Sequence, residues 1–174
     1  MKLSDFLDLK DQLALALVES IFRRAGYTLA PVIEQRIPPH LGREDLPDFR
    51  AVPAATREEA GSRLVKVRYR RQVRQYVSIE ARRGQRSSLA YAKQYWPALV
   101  VVFLTDEPEP GDSSFRVLDL ATWTPGSVPG LVDLFAHPDL DIYRVNVEEH
   151  EALARRILAL YSLRRTHRLD ETGG

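Results

Sequence analysis

Apolar residues recur at every fourth position from Leu9 through Leu13 and Leu17 to Ile21, with Ala14, Val18 and Phe22 beside them. This is the stripe of an amphipathic helix over residues 5–25. Ser4 stands where a cap would start that helix, and Gly26 where a left-handed residue would end it. The period is then lost. Residues 27–60 are polar and proline-bearing; residues 46–52 alone read as a short or edge strand, and residues 57–60 as a loop or brief helical turn. From residue 63 the period becomes two: Val65, Val67 and Tyr69 share one face, and Lys66, Arg68 and Arg70 the other. Residues 75–83 continue that alternation, with Val77, Ile79 and Ala81 facing the core and Ser78, Glu80 and Arg82 opposite, so that the two segments read as a hairpin.

Residues 87–96 read as a short helix opened by a serine pair and stopped by Pro97. Residues 98–104 are continuously apolar and rich in β-branched side chains, the mark of a central strand covered on both sides. A turn at EPEPGDSS, a strand at 115–122 and a loop at PGSVPG follow. Residues 141–147 read as the last strand, and residues 148–164 as a closing helix with Leu153, Ile157, Leu160 and Tyr161 inward. The expected order is helix, weak strand, hairpin, helix, buried strand, two strands, helix. It describes an α/β fold, a mixed central sheet flanked by helices, in one domain over residues 1–168 with a flexible tail at 169–174.

Charge sharpens the picture around the expected hairpin. Residues 63–86 hold nine Arg or Lys (Arg63, Lys66, Arg68, Arg70, Arg71, Arg74, Arg82, Arg83 and Arg86) against one acid, Glu80. That local charge of +8 lies in a chain of 174 residues whose net charge is +1, so the remainder is net acidic. Six of the cations fall between Arg63 and Arg74 without an acid, a density that repels itself unless an anion or an acidic partner screens it. These nine residues are therefore candidate nucleic-acid contacts. Tyr69, Tyr76, Tyr91, Tyr95 and Trp96 lie among and after them and can stack bases, although most of them read as core. An alternative of another class is a subunit that docks its basic face on an acidic protein partner; a homo-oligomer is a further open arrangement.

The chain has no cysteine, which excludes disulfides and thiolate metal sites and fits a reducing, cytoplasmic setting. No stretch approaches the roughly 18 apolar residues of a membrane span. Glu19, Asp45 and Asp48 precede the hairpin, and two carboxylates brought together by a sheet would hold a divalent cation against a phosphodiester. His40, His137, His150 and His167 lack metal-ligand spacing and read as surface residues.

The strings LVESIFRRAGY, LPDF, LVKVRYRR, QYVSIEARR, AYAKQYWP and ALVVVFLTD follow one another in residues 13–106. Their order resembles that of the PD-(D/E)xK restriction-endonuclease-like superfamily, and within it the DUF4365-type branch. The resemblance implies a restriction-endonuclease-like core and a nucleic-acid partner, DNA rather than RNA. It further implies a Mg²⁺ site in which Asp48 and Glu80 would be the ligands, Glu19 would assist, and Arg82 would stand in for the signature lysine. On the first strand Lys66-Val67-Arg68 occupies the signature position, with a cation where a ligand should be. Two readings stay open: an active Mg²⁺-dependent endonuclease with Asp48, Glu80, Arg82 and Glu19 as a variant centre, or a degenerate nuclease kept as a nucleic-acid-binding module.

Overall fold

In the computed structural model, which describes residues 3–33, 36–56 and 61–170, the first apolar stripe forms helix α1 (Leu3–Arg24). Gly26, at φ +89, turns the chain into strand β1 (Tyr27–Pro31). Strands β2 (Phe49–Pro53) and β3 (Arg63–Tyr69) follow, then helices α2 (Val73–Arg83) and α3 (Ser88–Tyr95). Strands β4 (Val100–Leu104), β5 (Phe115–Asp119) and β6 (Val132–Asp133) precede the closing helix α4 (Arg144–Asp170). The strands form one open mixed sheet in the order β1-β2-β3-β4-β5-β6. Every neighbouring pair is antiparallel except β3 and β4, which run parallel with Val65 opposite Val100 and Tyr69 opposite Leu104. A parallel pair needs a crossover, and α2 and α3 supply it.

The sheet is covered on both faces. On one side Ala14, Val18, Ile21 and Phe22 of α1, with Val147 and Ala154 of α4, pack on Val65, Val67, Val100, Val102 and Leu104. On the other, Val73 and Val77 of α2 with Leu89, Ala90 and Ala92 of α3 pack on Val101 and Phe103. Strand β4 thus alternates between two apolar layers, as its unbroken hydrophobic run predicts. Polar bonds lock α4 to α1: Asn146 Nδ2 donates to Ile21 O at 2.9 Å, and His150 Nδ1 donates to Asn146 O at 2.7 Å. With Nδ1 carrying the proton, His150 Nε2 accepts from Ser20 Oγ at 2.9 Å.

Several expectations are corrected. Residues 75–83 are not a strand but the body of α2, so the expected hairpin with β3 does not form. Both periods put Val77 and Ala81 on the inner face; Ile79 separates them, and it is 37% exposed while Val73 and Glu80 are buried, as a helix requires. The last strand lies at Val132–Asp133 rather than at 141–147, where α4 has already begun at Arg144. The inner face of α4 is set by Val147, His150, Ala154 and Leu158, which leaves Leu153 and Leu160 outward at 46% and 60% exposure. Strand β1 was not expected, and Ser4 lies inside α1 rather than before it. His137 and His150 are buried, not surface residues. Residues 57–60, read as a loop or turn, and residues 171–174 of the expected tail lie outside the described residues; α4 runs on through Asp170. Among the described residues no helix is long and apolar enough to cross a membrane.

Candidate nucleic-acid interface

The alternation of β3 is real, but its charged face is not a solvent face. With Val65, Val67 and Tyr69 turned to the α1 layer, Lys66 and Arg68 are turned to the layer beneath α2 and α3, where Lys66 is 8% exposed. A buried ammonium or guanidinium needs a carboxylate partner, because leaving water unpaired costs several kcal/mol on the order of a whole protein's margin of stability. The segment entering β2 supplies one for each. Lys66 Nζ donates to Asp48 Oδ1 at 3.1 Å, and Arg68 donates to Asp45 Oδ1 and, at 3.1 Å, to Glu44 O. Burial acts to lower the Arg68 pKa, but the adjacent Tyr76 phenol and Asp45 more than offset it, and the value stays raised.

Asp48 serves the sheet as well as the charge. Its main-chain N–H donates to Val65 O at 2.8 Å, and its Oδ2 accepts from Val67 N at 2.6 Å. The carboxylate thus continues the β2–β3 ladder where β2 stops. Asp45 closes the short 3₁₀ turn at Arg43–Asp45 by accepting from Gly42 N at 3.0 Å. Beside Asp45, Lys66 and Arg68, under Ser88 and Leu89, the remaining void is about 10 Å³, room for about one water.

The other expected catalytic residues are employed elsewhere. Glu80, 3% exposed on α2, accepts from Arg83 at 2.8 Å, Ser87 Oγ at 2.8 Å and Ser88 N at 3.0 Å, and so joins α2 to the start of α3. Glu19 pairs with Arg23 along α1 at 3.2 Å, and Arg82 is exposed at the end of α2. All four oxygens of Asp48 and Glu80 already accept from protein donors. A divalent cation at Asp48 would have to displace the Lys66 ammonium, so these residues do not fit one as they stand. Among the described residues no group of three or more His, Asp or Glu is arranged to hold a metal ion.

The basic stretch is screened largely from within the chain. Arg63 meets Asp139 at 3.6 Å, Arg71 meets Glu107 at 2.7 Å, and Arg74 meets Asp112 at 3.0 Å and Glu109 at 3.3 Å. Together with Lys66, Arg68 and Arg83, six of the nine cations have a carboxylate partner. Arg70 donates to Tyr69 O at 2.6 Å and lies over the Tyr76 ring at 4.7 Å. Arg82 and Arg86 are exposed and have no ion pair among the described residues. The pairs of Arg71 with Glu107 and of Arg74 with Glu109 are solvent-exposed, where an ion pair is worth about 0–1 kcal/mol and gives way easily, while Asp112 is half-buried.

Sequence reasoning missed the loop that borders α3. Leu41 is buried against the α2–α3 layer and anchors it, His40 stacks on Tyr91 with ring centres 4.7 Å apart, and Arg43 is exposed. No spacing signals a contact between residues so far apart in the chain. A cleft of about 330 Å³ lies at the start of α2 between Arg74, Glu109, Asp112 and Arg116, with its cations and acids paired to one another. Comparison of the chain with protein-family models, with curated proteins and with solved structures found no match.

Proposed function

We propose that this protein is a non-cleaving nucleic-acid-binding module built on a restriction-endonuclease-like core. The supporting order is a helix, three antiparallel strands, a helical crossover and a fourth strand parallel to the third. In that order Asp48 enters the second strand and Lys66-Val67-Arg68 occupies the third, the places where the family keeps its metal ligands and signature lysine. The observation that carries the non-cleaving half is the bond from Lys66 Nζ to Asp48 Oδ1, an internal cation in the position a metal would take. Binding is assigned to the cations that internal acids leave available, first Arg82 and Arg86, then the exposed Arg71 and Arg74. Lys66 and Arg68 serve the fold.

Retention on immobilised DNA at low salt tests the binding half. The wild type is expected to be retained and Arg82→Glu/Arg86→Glu to flow through; absence of retention, or retention indifferent to the charge reversal, overturns it. Incubation with supercoiled plasmid and Mg²⁺ or Mn²⁺ tests the other half. The plasmid is expected to stay intact, and cutting that Asp48→Asn removes would establish an active variant centre instead.

A further inference from the structure

Exposed rings and unpaired arginines both belong to the α2–α3 layer and the loop that borders it. His40 is exposed and stacks on Tyr91 at 4.7 Å with the ring planes 20° apart, so the outer face of the imidazole is presented to solvent. Its backbone sits at φ 67, a left-handed conformation that a non-glycine residue holds only when its surroundings impose it. Tyr95 follows Tyr91 by one helical turn, about 6 Å along α3, and is 45% exposed. Arg82 is exposed at the end of α2, Arg86 in the turn that leads into α3, and Arg43 three residues beyond His40, all three without an ion pair among the described residues. The N-terminus of α3 offers a phosphate little: Ser87 Oγ accepts from Leu89 N and Ala90 N, and Glu80 accepts from Ser88 N. Phosphates at this end must be met by arginine side chains.

We infer that the ligand of this surface is a single-stranded polynucleotide, whose bases stack on His40 and Tyr95 while Arg43, Arg82 and Arg86 contact its phosphates. The inference rests on the nucleic-acid reading above and narrows it. A duplex keeps its base faces stacked inside, and only an unpaired strand can lay them on aromatic side chains. Exposed rings and unpaired cations together are the composition of a single-strand path.

Fluorescence anisotropy with labelled homodeoxyuridine, homouridine and duplex DNA of equal length tests it. Either single strand is expected to bind about tenfold or more tightly than the duplex, and the better of the two identifies the sugar. His40→Gly/Tyr95→Ala is expected to weaken single-strand binding by about thirtyfold or more and leave the duplex unchanged, while Tyr95→Phe, which keeps the ring, restores most of the Tyr95 share. Both positions are exposed and glycine accepts the backbone of residue 40, so unchanged circular dichroism is expected. A duplex bound as tightly as the strands, or single-strand affinity unmoved by the aromatic double variant, overturns the single-strand inference while the broader reading stands. Absence of binding to all three probes overturns both.

Discussion

Asp48→Ala separates a carboxylate that holds the fold from one kept for a metal. The carboxylate accepts from Lys66 Nζ at 3.1 Å and from Val67 N at 2.6 Å, with side-chain exposures of 10% for Lys66 and 20% for Asp48. Removing one partner of a fully buried pair costs about 3–5 kcal/mol, which the residual exposure here reduces to about 2–3. The orphaned Val67 N–H adds about 1 kcal/mol, for a total of about 3–4. In a chain of this size each kcal/mol moves the midpoint by about 2–4 °C, so Tm should fall by about 6–16 °C. Lys66→Met strands the Asp48 carboxylate, which stays 20% exposed and bonded to Val67 N, and should cost about 1–2 kcal/mol, less than Asp48→Ala. Urea unfolding of both variants, read by circular dichroism, makes the comparison. A carboxylate held in readiness for a cation would be released from repulsion by the same change. An Asp48→Ala protein within about 0.5 kcal/mol of the wild type would therefore refute the structural role argued here.

Two further outcomes follow from buried carboxylates. Glu80→Ala leaves Ser87, Ser88 and Arg83 without their common acceptor and should cost about 2–4 kcal/mol in urea unfolding, with Glu80→Gln losing distinctly less. Asp119 is held below its ordinary value of 3.8 by the hydrogen bond from His137 Nε2, which outweighs the opposing effect of burial. A depressed carboxyl contributes stability above its unfolded value and loses it as pH falls through the folded one. The stability gap between wild type and Asp119→Asn should accordingly be open at neutral pH and narrow as the pH falls below 3.8.

What could be read from the sequence was what local pattern determines. The four-residue stripe of α1, the capping serine of α3 and the unbroken apolar run of β4 each belong to one element and need no distant partner to be recognised. Segment 75–83 failed because a nine-residue window with Val77 and Ala81 inward satisfies two periods at once. The parallel pairing of β3 with β4, which requires a crossover between them, decides for the helix, and that pairing is a long-range fact. Edge strands β1 and β6 are short and only partly buried, so they carry little hydrophobic signal. Asp45 and Asp48 were legible as carboxylates near the basic strand; that they neutralise Arg68 and Lys66 was not, because the alternation of β3 gives two faces and does not say which one a helix will cover.

The division of the nine cations into paired and free has a thermodynamic signature of its own. Each phosphate neutralised on a single strand contributes about 0.7 to the fall of log Kobs with log salt. If the whole stretch from Arg63 to Arg86 met phosphates, the slope would be about −6. Lys66 and Arg68 cannot take part without abandoning Asp48 and Asp45 beneath α2 and α3, and exchanging a buried carboxylate for a phosphate leaves that carboxylate buried and unpaired. Arg43, Arg82 and Arg86 alone give a slope of about −2, and recruitment of Arg71 and Arg74 from their exposed pairs takes it to about −3.5. A measured slope in that interval, reduced by about 1.4 in Arg82→Gln/Arg86→Gln, is the expected result. A slope near −6 would mean that the internal acids do not hold their arginines in solution, and that the basic strand binds as the bare sequence suggests.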